Sequence, residues 1–262
     1  MDRRTVVITG GSSGIGRACA LKFAGEGASV YELSRHGSNF DKVKHIPCDI
    51  TDESSISFAM NAIDRREGKI DVLINNAGFG ISGAIEFTKI NDIKSQFDVN
   101  VFGAVSITKR ALPLLRKCHG KVFFISSAAA VFPIPFQSFY AASKSATNSI
   151  SYALKNELSP FGIGVCALMP GDVKTGFTDA RSHSDEGKEL YGQRMSKAIT
   201  TMENDERNGM SPEYIANAVY KYSLKIRLRP SYTIGAKYKL FYMLYRLLPF
   251  SVVNWLIGKI YG

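Results

Sequence analysis

Between Thr5 and Gly27 the chain runs from a short apolar stretch into a glycine turn and then a helical pattern, with no spacer. Thr5 to Thr9 (TVVIT) is β-branched and apolar, Thr9 to Gly16 reads TGGSSGIG, and Ile15, Ala18, Cys19 and Phe23 then share one helical face until Gly25-Glu26-Gly27. An apolar run this short suits a strand buried on both faces of a parallel sheet. A glycine turn that opens a helix lets backbone N–H groups approach an anion at the helix N-terminus. The spacing Gly10, Gly14, Gly16 departs from G-x-G-x-x-G, but strand, turn and helix follow in the order that makes a phosphate cradle.

The same rhythm repeats. Strand-like runs occur at 28–34, 44–48, 71–74, 121–125, 164–169 and 232–234, and helical stretches at 52–66, 91–117, from Phe139, and from Ser211. Asp52 is placed to cap the first of these stretches, and Pro113 is expected to kink or end the second. Ser211-Pro212-Glu213 is a helix start, with a cap, a proline at the first helical position and an acid near the dipole. Alternating strands and helices predict an α/β chain with one Rossmann-type, doubly wound parallel sheet and helices on both faces. At 262 residues, one large domain accommodates the pattern. We expect a nucleotide-binding catalytic domain over 1–235. Its polar, weakly periodic segment 172–210 would be a mobile lid or a set of short helices, and 236–262 would form a basic amphipathic extension.

Composition excludes several classes. No apolar run reaches the length of a spanning helix, and Met1-Asp2-Arg3-Arg4 leads straight into the first strand, leaving no room for a signal peptide. Cys19, Cys48, Cys118 and Cys166 are scattered, as in a reduced, cytoplasmic compartment, and the four histidines show no ligand spacing, so no metal site is expected. The net charge of +10 is concentrated: after Glu213 no acidic residue occurs, whereas Lys221, Lys225, Arg227, Arg229, Lys237, Lys239, Arg246 and Lys259 all lie beyond it. The basicity therefore belongs to the C-terminal part, and no nucleic-acid surface is implied.

The end of the second strand faces the adenosine ribose in such a sheet. Ser34-Arg35 offers a hydroxyl and a guanidinium there, which favours the 2′-phosphate of NADP(H) over NAD(H). Glu32 competes, since it points to the same strand face and lies where an NAD-binding acid would.

Tyr140 and Lys144 stand four apart, which stacks them on one helix face. A tyrosine is a poor acid or base at neutral pH, but an ammonium about 4 Å away is worth about 4 kcal/mol at an effective dielectric of about 20. At about 1.4 kcal/mol per pKa unit, that brings the phenol from about 10 to near 7. An ordinary helix with one exposed Tyr and one exposed Lys accounts for the bare spacing equally well; the rest of the chain decides between them.

TGGSSGIG at 9–16, Asn75-Asn76-Ala77-Gly78, Asn100 in VNVFG, Ser127, YAASK at 140–144 and PGDVKT at 170–175 together resemble the short-chain dehydrogenase/reductase family over about residues 4 to 235. The resemblance implies roles. Tyr140 would be the acid/base, Lys144 would lower its pKa and bind the nicotinamide ribose, Ser127 would hold the reacting oxygen, and Asn100 would hold a water in a proton relay. Gly10, Ser12, Ser13, Gly14, Ile15 and Gly16 would cradle the pyrophosphate, with Ser34 and Arg35 at the adenosine ribose. Asp49 and Ile50 would flank the adenine, Asn76, Ala77 and Gly78 would line the adenosine side, and Pro170, Gly171, Val173 and Thr175 would hold the nicotinamide end. The activity implied is interconversion of a hydroxyl and a carbonyl, in a protein that is a homo-oligomer by family analogy.

The substrate is less determined. Val131, Phe132, Ile134 and Phe136, between Ser127 and Tyr140, either border an apolar pocket or pack under the lid. The tail looks similar to those of family members acting on steroids, retinoids or acyl chains, and it could lie on a membrane surface, pack on the domain or join two copies. Three readings stand: an NADP(H)-dependent oxidoreductase of a small hydrophobic, steroid-, retinoid- or lipid-like substrate; a 3-ketoacyl or acyl-dihydroxyacetone-phosphate reductase; and a non-catalytic NADP-binding regulator. An intact Ser127, Tyr140 and Lys144 argues against the last.

Overall fold

Seven strands lie parallel, in the spatial order Val43–Pro47, Ser29–Ser34, Thr5–Thr9, Val72–Asn75, Lys121–Ile125, Gly164–Pro170 and Ser231–Ile234, in a computed structural model that describes residues 3–184 and 186–261. Met1 and Asp2 of the expected N-terminal lead-in, Asp185 within the 172–210 segment and Gly262 at the end of the tail lie outside the described residues. In chain order the elements are β1 (Thr5–Thr9), α1 (Gly14–Gly25), β2 (Ser29–Ser34), β3 (Val43–Pro47), α2 (Glu53–Glu67), β4 (Val72–Asn75), β5 (Ile81–Ser82), α3 (Ile90–Phe97), α4 (Ala104–Arg116), β6 (Lys121–Ile125) and α5 (Ser138–Leu158). Then come β7 (Gly164–Pro170), β8 (Ser182–His183), α6 (Lys188–Arg207), α7 (Pro212–Ser223), β9 (Ser231–Ile234), α8 (Ala236–Leu247) and α9 (Phe250–Tyr261).

Strand alternation divides the interior in two. Val6 and Ile8 of β1 face a layer with Phe23, Ile215 and Val219 from α1 and α7, while Val7 faces Ile56, Ile63, Ile107 and Leu115 from α2 and α4. Both layers are apolar throughout, so the sheet carries helices on both faces, as the strand–helix rhythm implies. The order reverses between β1 and β4, and in open α/β sheets ligands bind outside the strand ends at such a point.

Local chemistry sets several boundaries. Asp52 caps α2 by accepting from Ser54 N and Ser55 N, and Ser211 caps α7 by accepting from Tyr214 N. Two expectations need correcting, and one gains a detail. The stretch 91–117 is helical as expected, with a π-helical turn, Asp98–Gly103, between α3 and α4 that carries Asn100. Such a bulge inserts an extra residue per turn, and the apolar periodicity of the flanking helices gives no sign of it. Pro113 does not end α4, which continues to Arg116. The 172–210 segment holds one long helix, α6, broken only at Gly192 (φ 49°, ψ −132°), rather than short pieces. It is tied down, because Glu206 of α6 accepts from Thr178 Oγ1 at 2.6 Å and pairs with the buried Arg181, and β8 pairs with β5.

Candidate active site

The glycine turn sits at the C-terminal end of β1, where Gly10 and Gly14 take φ of 65° and 51°, a region side chains rarely enter. Gly16 is needed for close approach: a methyl there would stand 2.5 Å from Asn76 Nδ2 and collide with the Gly10 carbonyl. Asn76, from the end of β4, locks the turn by donating Nδ2 to the carbonyls of Thr9 and Gly10, both at 3.0 Å. Ser13, the N-cap of α1, makes no side-chain cap bond, and no acidic residue occupies the first turn. No side chain of the protein itself caps this N-terminus, and it opens into the cavity described below, so the cradle fits a pyrophosphate.

At the end of β2, Ser34 and Arg35 line the cavity, and Arg35 is exposed. Glu32, the competing acid, is fully buried. Its carboxylate pairs with His45 Nδ1 and accepts from Ser34 Oγ at 3.2 Å, and it does not line the cavity. Asp49 and Ile50 follow β3 on the far wall. Two bonds from Thr51, with the positive charge of Arg35, hold the Asp49 carboxyl below the usual carboxylate range.

The chemistry-bearing side chains meet where β6 ends and α5 begins. Ser127 and Tyr140 are hydrogen-bonded through their hydroxyls, and Phe177 leans on the Tyr140 ring with centroids 5.6 Å apart. Lys144 is buried, its Nζ donating to the Ile125 carbonyl at 2.9 Å and lying 5.7 Å from the Tyr140 ring centroid. The phenol is not brought to near 7. Burial pushes it up to about 12, with Ser127 opposing, and burial pushes Lys144 down to about 8. Desolvation of both buried groups dominates here, where spacing alone suggests an ammonium's attraction. The Tyr140 phenol therefore keeps its proton across the physiological range in this structure.

These residues line one cavity of about 1310 Å³, running from the glycine turn past Tyr140 to the tail. Pro170, Gly171, Val173 and Thr175 line it as well, as do Ala77 and Gly78. Of the residues expected in the site, only Gly16 and Asn100 stand back from this surface. Asn100 Nδ2 donates to the Phe79 carbonyl and to Ser143 Oγ, and Oδ1 accepts from Phe79 N, each at 3.0 Å. Both ends of its amide are engaged, so its side chain braces the Phe79 loop.

Residues 4–186 match the model of the short chain dehydrogenase family. The chain belongs to that family. It is 40% identical over 225 residues to a 3-ketodihydrosphingosine reductase of Bacteroides thetaiotaomicron, covering 84% of each chain. It is 31% identical over 273 residues to an NADPH-dependent 3-dehydrocapnine reductase of Ornithobacterium rhinotracheale, covering 98% and 96%. Among solved structures, a short-chain dehydrogenase from Streptomyces avermitilis superposes with a TM-score of 0.83 at 26% identity, covering 93% and 92%. This short-chain dehydrogenase is thus an oxidoreductase acting on hydroxyl and carbonyl groups, which sets aside the non-catalytic reading.

Two parts of the dehydrogenase's site were left open between alternatives by the sequence. The loop before Tyr140 divides its apolar residues: Phe132 and Ile134 line the cavity, whereas Phe136 packs on Tyr191 of α6, ring centroids 5.6 Å apart. The tail closes the cavity. Phe241, Leu244 and Tyr245 from α8, Leu248 just after it, and Val253, Leu256, Ile257 and Ile260 from α9 line it. Gly171 lacks a side chain where the Tyr238 ring sits against it, and the Tyr238 hydroxyl donates to Asp172. The signal was present, since both sets recur at i, i+3, i+4 and i+7, the stripe of a packed helix face.

Proposed function

We propose that this dehydrogenase is an NADPH-dependent reductase of a long-chain 3-keto lipid, of the kind named by its 3-ketodihydrosphingosine reductase and 3-dehydrocapnine reductase relatives. The observation that carries the reading is the continuity of one cavity from the glycine cradle, past the Ser127–Tyr140 pair, to an apolar wall built by α8 and α9. A dinucleotide and an acyl chain together need more room than the 300–1,000 Å³ of about an average ligand site, and this cavity exceeds it. Arg35 on the cavity wall, with Glu32 turned away and paired with His45, supports NADPH over NADH.

When bound, NADPH would supply the hydride for the substrate's carbonyl carbon. Tyr140 donates its phenolic proton to the carbonyl oxygen, and the Ser127 hydroxyl holds that oxygen with a second hydrogen bond. C=O gains one hydride and one proton and becomes CH–OH. The Lys144 ammonium beneath the ring stabilises the phenolate left on Tyr140. A phenol held protonated suits the reductive direction, in which it begins as an acid. Asn100 acts by fixing the Phe79 loop and Ser143, the residue before Lys144.

The test is oxidation of NADPH and of NADH by the full chain with 3-ketodihydrosphingosine, a neutral steroid ketone and a short water-soluble β-ketoester. The reading requires NADPH to be preferred and the long-chain ketone to have the highest kcat/KM. Equal turnover of the steroid, or a preference for NADH, would remove the substrate or the cofactor half respectively.

A further inference from the structure

The tail helices carry a second apolar face that the cavity does not use. In α8, Leu240, Met243 and Leu247 recur at i, i+3 and i+7 on the side away from the cavity; Leu247 is 74% exposed. In α9, Val252 and Trp255 are likewise exposed and off the cavity lining, Trp255 being 59% exposed. Eleven of the 21 large apolar side chains exposed among the described residues fall between Leu240 and Ile260. A helix packed on a soluble domain has one apolar stripe and a polar back. These two have apolar side chains on both faces.

The charge says what covers the outer one. Lys239 and Arg246 stand one position before Leu240 and Leu247, at the edge of the stripe, and Lys259 Nζ lies 6.0 Å from the Trp255 ring. No acidic residue follows Glu213. Two copies meeting through this face would bring like charges together, whereas an anionic lipid headgroup complements them. Each helix has 12 residues, about 18 Å of rise against about 30 Å of hydrocarbon, so the pair suits the interface plane and cannot span. A tryptophan beside a lysine, over an aliphatic stripe, is the side-chain set of that interface.

We propose that the α8–α9 hairpin docks on an anionic bilayer through its outer face, with its inner face roofing the cavity. The hairpin then separates the bilayer from the cavity by the thickness of one helix. On the lipid-ketone reading above, a long-chain substrate passes from the membrane between α8 and α9 without crossing water.

Trp255 is the single tryptophan of the chain, so its emission reports the hairpin alone. The experiment titrates the full chain, without cofactor or ketone, with phosphatidylcholine vesicles and with vesicles containing phosphatidylglycerol, following Trp255 emission and co-sedimentation. We expect a blue shift and sedimentation with the anionic vesicles, at least about tenfold tighter than with phosphatidylcholine and weakened by salt. The combined variant Leu240→Ser, Met243→Ser and Leu247→Ser should lose this binding while keeping its circular dichroism and its turnover of the water-soluble β-ketoester. No blue shift with anionic vesicles, equal binding to both vesicle types, or full binding by the variant would each overturn the proposal. So would light scattering that shows a dimer of the native chain and a monomer of the variant, with neither binding vesicles. Failure of the lipid-ketone reading would appear only in turnover of a long-chain ketone, which this experiment does not measure.

Discussion

Lys144 couples activity and stability to pH in opposite directions. Its pKa falls from 10.5 to about 8 because the ammonium is buried, its Nζ donating to the Ile125 carbonyl. A depression of that size corresponds to about 3 kcal/mol of unfavourable burial of the charged form. Between pH 8 and 10.5 the unfolded chain holds more protons at this residue than the folded one, so its contribution to stability rises with pH there and is lost as pH falls through about 8. Activity runs the other way. Tyr140 stays protonated up to about 12, so in reduction the first group to change state is Lys144, and kcat/KM should fall about tenfold per unit above pH 8. Lys144→Arg keeps a charge throughout and should lose that alkaline limb, at a lower plateau rate. Lys144→Met carries no charge, so the stability of the native chain relative to it should increase by up to about 3 kcal/mol from pH 8 to pH 10.5. The assays are initial rates of NADPH oxidation over pH 6 to 10 and urea melts across the same range. An alkaline limb that stays near 8 in Lys144→Arg, or a stability difference that does not change with pH, would refute the assignment.

Other expectations follow from individual contacts. Tyr238→Phe removes the hydroxyl that partners Asp172 and leaves that carboxylate buried against a ring, a loss of about 1.5–3 kcal/mol from the hold on α8. Turnover of a long-chain ketone should therefore drop more than that of a short β-ketoester, and backbone amides of 236–261 should exchange faster; equal losses on both substrates would contradict the role of the tail. Arg35→Ala should raise KM for NADPH by about tenfold or more while leaving KM for NADH nearly unchanged, since only the former offers a phosphate to the guanidinium. An equal change for both cofactors would mean that Arg35 does not read the 2′-phosphate.

The fold was legible because its signals are local. TVVIT before TGGSSGIG, and Asp52 and Ser211 as caps, each specify a short piece whose neighbours agree with it. Tyr140 and Lys144 needed Ser127 and the glycine turn before their spacing carried weight. What the sequence hid depends on three-dimensional partners. The π-helical turn at Asn100 leaves no trace in apolar spacing, and the desolvation of Tyr140 comes from elements far along the chain, including Phe177. Glu32 and Ser34 share a strand face, and His45 reaches back from β3 to hold the Glu32 carboxylate, leaving Ser34 on the cavity lining. The tail is the instructive miss. Its basic, aromatic composition was visible, but α8 and α9 each carry two apolar faces, and only the packed structure shows which of them the cavity uses.

The most direct test of the account is stopped-flow reduction of 3-ketodihydrosphingosine by the native chain and by Tyr140→Phe, each pre-mixed with NADPH. Removing the hydroxyl should lower the single-turnover rate by about 10²–10⁴-fold, the usual worth of a positioned general acid, with the Kd for NADPH unchanged. A Tyr140→Phe enzyme that reduces the ketone within a few-fold of the native rate would contradict the central claim that this phenol delivers the proton.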